Sequence, residues 1–195
     1  ITFAPELSSF VVVGTDAVMT STNNGFTWDD DVLPTNAWKS VAWSPDISLF
    51  CAIGTGDLVV TSPEGILWDT QTIDNSSWTD IAWSLEHELF TAVAESVPYI
   101  STSSDTITWT TRDVATTNLY SVIAYNNIII ASGDSVFYSL DGIDWNTTTA
   151  LAGTWLDVAH SDKNVVAVGN GDVFIRSNPI VGVSILGENI MEWVD

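Results

Sequence analysis

Basic residues are nearly missing from this chain: 4 Lys and Arg stand against 25 Asp and Glu, a formal net charge of −21 over 195 residues. Binding to a phosphate backbone rests on Lys and Arg that neutralise phosphates, so nucleic acid is excluded as a partner. Anionic membrane surfaces are disfavoured for the same reason. Cysteine is down to one, Cys51, which rules out an internal disulfide and leaves the redox compartment open. In the apolar run Leu49-Phe50-Cys51-Ala52-Ile53 it reads as a buried, inert thiol. Histidine is limited to His87 and His160. With no Cys-x-x-Cys or His-x-Glu pattern they do not make a His-based metal site, and both read as surface residues. No apolar run approaches the ~18 residues of a membrane span, so no membrane insertion is expected. There is no signal-peptide pattern, and the chain opens on Ile1 rather than Met; a processed form or a piece of something longer is the expectation. A sustained helical period is lacking as well.

What remains is apolar and aromatic. Hydrophobic residues make up 46% of the chain and aromatics 11%, ten of them Trp, too rich for disorder. The material is arranged as a repeat. Val-Ala-Trp-Ser-Pro-Asp-Ile-Ser-Leu-Phe (41–50) aligns without a gap on Ile-Thr-Phe-Ala-Pro-Glu-Leu-Ser-Ser-Phe (1–10), returns at 81–90, and recurs more weakly from Val122 and Val158. A period near ~40 residues with four short strand patterns per unit describes a propeller blade. In the second repeat the predicted strands are Ser40–Ser44, Leu49–Ile53, Leu58–Ser62 and Ile66–Gln71. The predicted last strands of the other repeats start at Phe26, Ile107 and Ile143, with Ile190-Met191-Glu192-Trp193 standing for the fifth. The chain is therefore read as all-β: a β-propeller of about five four-stranded antiparallel blades, one domain over 1–195, with blades at about 1–36, 37–76, 77–117, 118–152 and 153–195. A closed five-bladed ring is the favoured arrangement, with five blades of a larger ring as the alternative. Trp28, Trp68 and Trp145 are each followed ten residues later by Trp38, Trp78 and Trp155, while Trp109 is followed by Leu119. These residues read as packing groups between blades.

The approach to each fourth strand carries a motif. It runs Thr22-Asn23-Asn24-Gly25-Phe26-Thr27-Trp28, Ser62-Pro63-Glu64-Gly65-Ile66-Leu67-Trp68, Ser103-Ser104-Asp105-Thr106-Ile107-Thr108-Trp109 and Ser139-Leu140-Asp141-Gly142-Ile143-Asp144-Trp145. The motif resembles the Asp-box (BNR) repeat of sialidase-like β-propellers. The resemblance implies structural turns at Asn24, Gly25 and Trp28; at Glu64, Gly65 and Trp68; at Asp105 and Trp109; and at Asp141, Gly142 and Trp145. In that family these boxes are fold elements, usually remote from the binding face. Thr106 stands where the other copies have Gly.

The resemblance makes a sialidase the first enzyme to test. Those enzymes clamp a carboxylate with three arginines, and this chain has Arg112 and Arg176 only. A two-carboxylate glycosidase has acids to draw on, but nothing marks a pair. No Gly-x-Ser-x-Gly element supports a nucleophilic serine. The chain is read as non-enzymatic. An acid sits in each turn between second and third strands: Asp16, Asp57, Glu95, Asp134 and Asp172. On one rim these carboxylates would suit calcium or a basic partner; they are also ordinary hairpin residues. The loops at 29–36, 69–77, 110–118 and 146–153 are polar enough for a glycan. The expected function is a structural or interaction module of a virion or cell surface that docks protein partners, with a glycan-binding propeller as the alternative.

Overall fold

The computed structural model describes residues 1–97, 99–112, 114, 118–147, 153–161, 164–170, 174–177 and 193–194, the last two segments by their backbone alone. The elements are all strands, arranged in four antiparallel sheets. The first holds β1 (Thr2–Ala4), β2 (Ser9–Gly14), β3 (Ala17–Ser21) and β4 (Asp29–Asp31), in chain order. The second joins β5 (Trp38–Ser44), β6 (Leu49–Ser62), β7 (Asp69–Ser84), β8 (Leu89–Ala94), β9 (Ile100–Ser103) and β10 (Thr110–Arg112). The third holds β11 (Leu119–Tyr125), β12 (Ile128–Gly133), β13 (Val136–Ser139) and β14 (Asn146–Thr147). The fourth holds β15 (Trp155–His160), β16 (Val165–Gly169), β17 (Phe174–Ser177) and β18 (Trp193–Val194). Of the segment predicted as the last strand, Ile190 to Glu192 lies outside the described residues.

The six-stranded sheet is two repeats run together across the boundary that the sequence reading sets at 76–77. The segments predicted as Leu49–Ile53 and Leu58–Ser62 form the single run β6, and the predicted loop 69–77 is strand throughout. The cause is backbone pairing ahead of the turn: Thr55 pairs with Ser77 and Gly56 with Ser76. The first half of β6 pairs with β5, its second half with the start of β7, and the end of β7 pairs with β8.

Successive repeats stack through unlike faces. Ala4, Val11 and Val18 of the first repeat are buried against Trp43, Phe50, Ala52 and Val60 of the second. Phe90, Ile81 and Ala92 of the third repeat meet Ala42, Cys51, Ile53 and Val59 of the second in the same way. Large rings on the leading face are pre-stacked by strand pairing: Trp43 lies opposite Phe50 at 4.5 Å, and Trp83 opposite Phe90 at 4.6 Å. Each Trp also donates its indole N–H to an acid in the preceding repeat's first turn, Trp43 to Glu6 at 3.0 Å and Trp83 to Asp46 at 3.0 Å. Further stacking joins β7 and β8 to β11, then β11 and β12 to β15. Among the described residues no stacking of that extent joins the fourth sheet to the first. Cys51 is fully buried and burial pushes its thiol pKa far up, as the inert reading expects.

The motif turns hold one geometry four times. The Ser62, Ser103 and Ser139 Oγ atoms each accept the N–H three residues on, all at 2.8 Å. Asp105 Oδ1 accepts N–H bonds from Ile107 and Thr108, and Asp141 Oδ1 from Ile143 and Asp144. These donors hold both carboxyl groups below their usual range. The first turn carries one extra residue. Ser21 rather than Thr22 accepts the Gly25 N–H at 2.9 Å, and Asn23 rather than Asn24 accepts the Thr27 N–H at 2.9 Å. Because the turn consumes these N–H groups, the last strand of each of the first four repeats starts one residue after Trp28, Trp68, Trp109 or Trp145, not two before it. Gly25, Gly65 and Gly142 have positive φ, and Thr106 adopts φ 63 in the same place. The turn thus keeps its shape without glycine, at the strain a β-branched residue carries there.

The inner strands start from buried anchors, as the ten-residue spacing predicts. Trp38, Trp78, Leu119 and Trp155 are all buried. Each pairs with a residue closing the second strand: Gly54, Ala94, Gly133 and Gly169. A Cβ at Gly133 would meet the Asn118 carbonyl oxygen and the Leu119 Cα. Gly133→Ala is expected to lower stability by about 1–3 kcal/mol, whereas Ala94→Gly should change it by less than about 1 kcal/mol. Urea unfolding followed by Trp fluorescence measures both.

Candidate functional site

One residue after each anchor the inner strand slips. The register shifts between Trp38 and Ser40, Trp78 and Asp80, Leu119 and Ser121, and Trp155 and Asp157. An extra residue in one strand re-aims the side chains on either side of it. The bulged residues are Lys39, Thr79, Tyr120 and Leu156. Three of them, from three successive repeats, line one cavity of about 320 Å³ together with Thr55, Ser77 and Glu95. Thr79 Oγ1 lies 3.0 Å from both the Val93 and Leu119 carbonyl oxygens, fixing the seam between the third and fourth repeats. Tyr120 has its phenol pKa raised by desolvation and by the carboxylates of Asp134 and Glu95.

Glu95 lines this opening. Its N–H donates to Ser77 O and that of Asp134 to Asn118 O, in each case the residue ahead of the repeat's own anchor, whereas the N–H of Asp16 donates to Asn36 O at the entry to the next repeat. In the second repeat this place belongs to Thr55, whose N–H donates to Ala37 O, so Asp57 stands two residues beyond the equivalent position. The longer Gly54–Asp57 segment, tied to Ser76 and Ser77, displaces it. Asp172 lies outside the described residues; in the fifth repeat Asn170 makes the bond, to Thr154 O. Asp16, Glu95 and Asp134 are exposed. Among the described residues no three His, Cys, Asp or Glu side chains converge as a metal site would require.

Beyond the bulge the strands carry a polar belt that the sequence reading missed. Ser40 Oγ donates to Asp80 Oδ1 at 2.7 Å, and Ser121 Oγ lies 3.0 Å from Asp80 Oδ2 and 2.9 Å from Asp157 Oδ1. Asp80 also accepts the N–H groups of Ile81 and Val122. Four residues from four repeats thus alternate Ser, Asp, Ser, Asp along the stack. The signal available in sequence was the residue just before Val41, Ile81, Val122 and Val158. Burial raises the Asp80 pKa against the lowering effect of its donors. Ser121 has one hydroxyl proton for two carboxylates, and a proton on Asp80 removes that shortfall.

His87 is less bland than a surface histidine. Its Nδ1 accepts from Ser84 Oγ at 2.7 Å and its Nε2 donates to Leu140 O at 2.7 Å, which ties the third repeat's turn to the fourth repeat's motif. A carbonyl can only accept, so the bond fixes the Nε2–H tautomer. His160 stacks on Tyr125 at 4.7 Å. A second cavity of about 570 Å³ lies at the outer edge, lined by Thr111, Arg112, Ile143, Asp144, Trp145 and Asn146. It takes in none of the rim acids.

Stacked four-stranded repeats with inner-strand bulges opening on one face define an all-β, propeller-like protein. No protein-family model matches the sequence, and no curated protein matches it. Solved structures do. YCF48 from Cyanidioschyzon merolae is 16% identical with a TM-score of 0.71, over 100% of this chain and 70% of that one. YCF48 bound to a D1 peptide is 15% identical with a TM-score of 0.66, over 87% of this chain and 59% of that one. Virginiamycin B lyase from Staphylococcus aureus is 9% identical with a TM-score of 0.66, over 85% and 64%. At these identities the likeness is one of fold. This chain spans between 59% and 70% of the lengths of these proteins.

The belt makes a pH prediction. A carboxyl whose folded pKa is raised contributes stability that is full below the unfolded value and is lost as pH rises through the folded one. Asp80→Asn replaces one of the two accepting carboxyl oxygens with an NH2 that cannot accept, leaving the Val122 or the Ile81 N–H without its acceptor and costing about 1 kcal/mol near pH 4. As pH rises toward 7, the ionised Asp80 loses its advantage and the gap between wild type and variant narrows. Urea midpoints of both proteins across that range check it. Asp105 and Asp141, with lowered pKa values, act in the opposite sense in both proteins and cancel from the difference.

Proposed function

We propose that this chain is a non-catalytic interaction module that docks a protein partner on the face built by the inner-strand bulges. The observation that carries the reading is the cavity where Lys39, Thr79 and Tyr120 of three repeats meet Glu95. A largely polar lining with two aromatic residues, Trp78 and Tyr120, suits a peptide segment, which brings both backbone donors and apolar bodies. YCF48, similar in fold, has been solved with a peptide bound, which supports a peptide-docking role. The partner's chemistry follows from charge: with exposed Glu95 lining the opening, the Asp134 carboxylate acting on Tyr120 and a net charge of −21, a basic segment is the one attracted.

The finer points belong to the same proposal. We read 1–195 as one domain of five blades with Asp-box-type turns, supported by the four repeated motif geometries. A place on a virion or cell surface rests on the resemblance of those turns to Asp-box arrays. The non-enzymatic reading rests on the two-arginine count and the unmarked acids.

Fluorescence polarisation with labelled ten-residue peptides of graded charge tests the docking. Basic peptides should bind, and should bind more weakly as salt rises from about 0.05 to 0.3 M. Glu95→Gln with Asp134→Asn should weaken binding about fivefold or more, and Tyr120→Ala should do the same at constant salt dependence. Peptide binding that ignores all three substitutions would sink the reading. So would silence toward peptides with clear signals on a glycan array.

A further inference from the structure

The first repeat carries the same ring ladder as the second, with none of the described residues packed over it as a repeat. Phe3 pairs with Phe10 across β1 and β2, their rings 4.5 Å apart, and Phe10 lies 6.5 Å from Trp28. In the second repeat the corresponding distances are 4.5 Å for Trp43 and Phe50 and 6.4 Å for Phe50 and Trp68. The ladders match; their burial does not. Trp43 is 8% exposed and Phe50 fully buried, because Ala4, Val11 and Val18 cover them. Phe3 is 39% exposed, Ile1 73%, and Phe10, Val12 and Met19 are only half-buried. A face already shaped as a repeat-to-repeat contact is thus left open to solvent, and exposed contiguous apolar surface of that kind marks an interaction site.

We propose that the leading face of the first sheet, Ile1, Phe3, Phe10, Val12, Met19 and Trp28, is an unfilled blade–blade interface whose occupant is a further four-stranded blade of this same repeat. The occupant presents small apolar side chains, as Ala4, Val11 and Val18 do to the second repeat. Two observations single it out. The ring ladder is continuous in kind with the buried contact between the first and second repeats. The solved propellers that superpose on this chain are longer than it, leaving room for further sheets of the same size beside the span they share. The surface lies on the flank of the stack, apart from the bulge face, so the proposal stands independently of the docking role.

The test supplies the occupant from the protein itself. A copy of residues 1–40 is placed directly ahead of Ile1, so that Trp-Lys-Ser leads into β1 as it leads into Val41. Urea midpoints, dye binding to exposed apolar surface, and light scattering are measured with and without the added repeat. The added repeat should raise the midpoint and quench dye binding in a monomer. It should also convert Phe3→Asp in the original repeat from a near-neutral change to one that raises the unfolding constant more than tenfold; Phe3→Ala serves where the Asp variant does not fold. An added repeat that alters neither the midpoint nor the cost of the Phe3 substitutions overturns the proposal. It is overturned equally if the 195-residue chain dimerises with concentration and Phe3→Asp abolishes the dimer, since the occupant is then a second copy.

Discussion

The stacking of the first three repeats depends on one asymmetry: large rings on one flat face meet small side chains on the facing one. Strand pairing sets Trp43 against Phe50 and Trp83 against Phe90 before any neighbour arrives. A ladder of rings on one side of a two-layer contact needs Ala, Val or Cys on the other to reach interior density. The second repeat meets that demand in both directions, offering rings to the first and Ala42, Cys51 and Val59 to the third. No repeat can bury its own faces, and the chain solves this by translation of one contact. The acid-to-indole bonds from Glu6 and Asp46 make the contact directional as well as tight.

The inner-strand bulge couples that stack to the face. A strand of strict period two would send Lys39, Thr79 and Tyr120 to the same side as their second neighbours. The one-residue slip instead turns the bulged side chain toward the opening and the next residue toward the neighbouring repeats. Thr79 shows the result, bonding carbonyls of two repeats while lining the cavity. Asp80, one residue on, is tied to Ser40 and Ser121 on its two neighbours. The same irregularity therefore builds a polar seam inside and a varied surface outside. Anchors, seam and surface occupy three consecutive residues in each repeat.

Much of the unit was legible in sequence, and the failures have physical causes. The ten-residue Trp spacing found the buried anchors because a whole indole leaves a strong mark. The motif heptads found the turns, including Thr106, since Ser Oγ and the Asp carboxylate supply their own backbone partners. The extra residue in the first turn was missed because Thr22 and Ser21 are chemically interchangeable and only the bond to Gly25 separates them. The fusion of predicted strands into β6 and β7 comes from Thr55 and Gly56 pairing with Ser76 and Ser77, a contact between segments whose local composition says loop. Bulges leave no trace in a period-two reading, so Asp80 was placed in a strand without its role. Asp57 stands two residues beyond the position that Glu95 and Asp134 share, because its own turn is longer.

The charge distribution separates two tasks. Nearly all of the acidity sits in turns and on edges, where water screens it and the stack pays little for it. Asp80 is the exception, enclosed among hydroxyl and amide donors with its pKa raised. A surface of one sign sets the rate and sign of encounters over the whole molecule, but it cannot choose among partners of like charge. Choice requires side chains that differ from repeat to repeat. The bulge position holds Lys39, Thr79, Tyr120 and Leu156 in turn, while the anchors before it repeat almost unchanged. The repeat thus keeps constant what stacks and varies what faces outward, so the side chains that differ between repeats lie at the bulge rather than in the acidic excess.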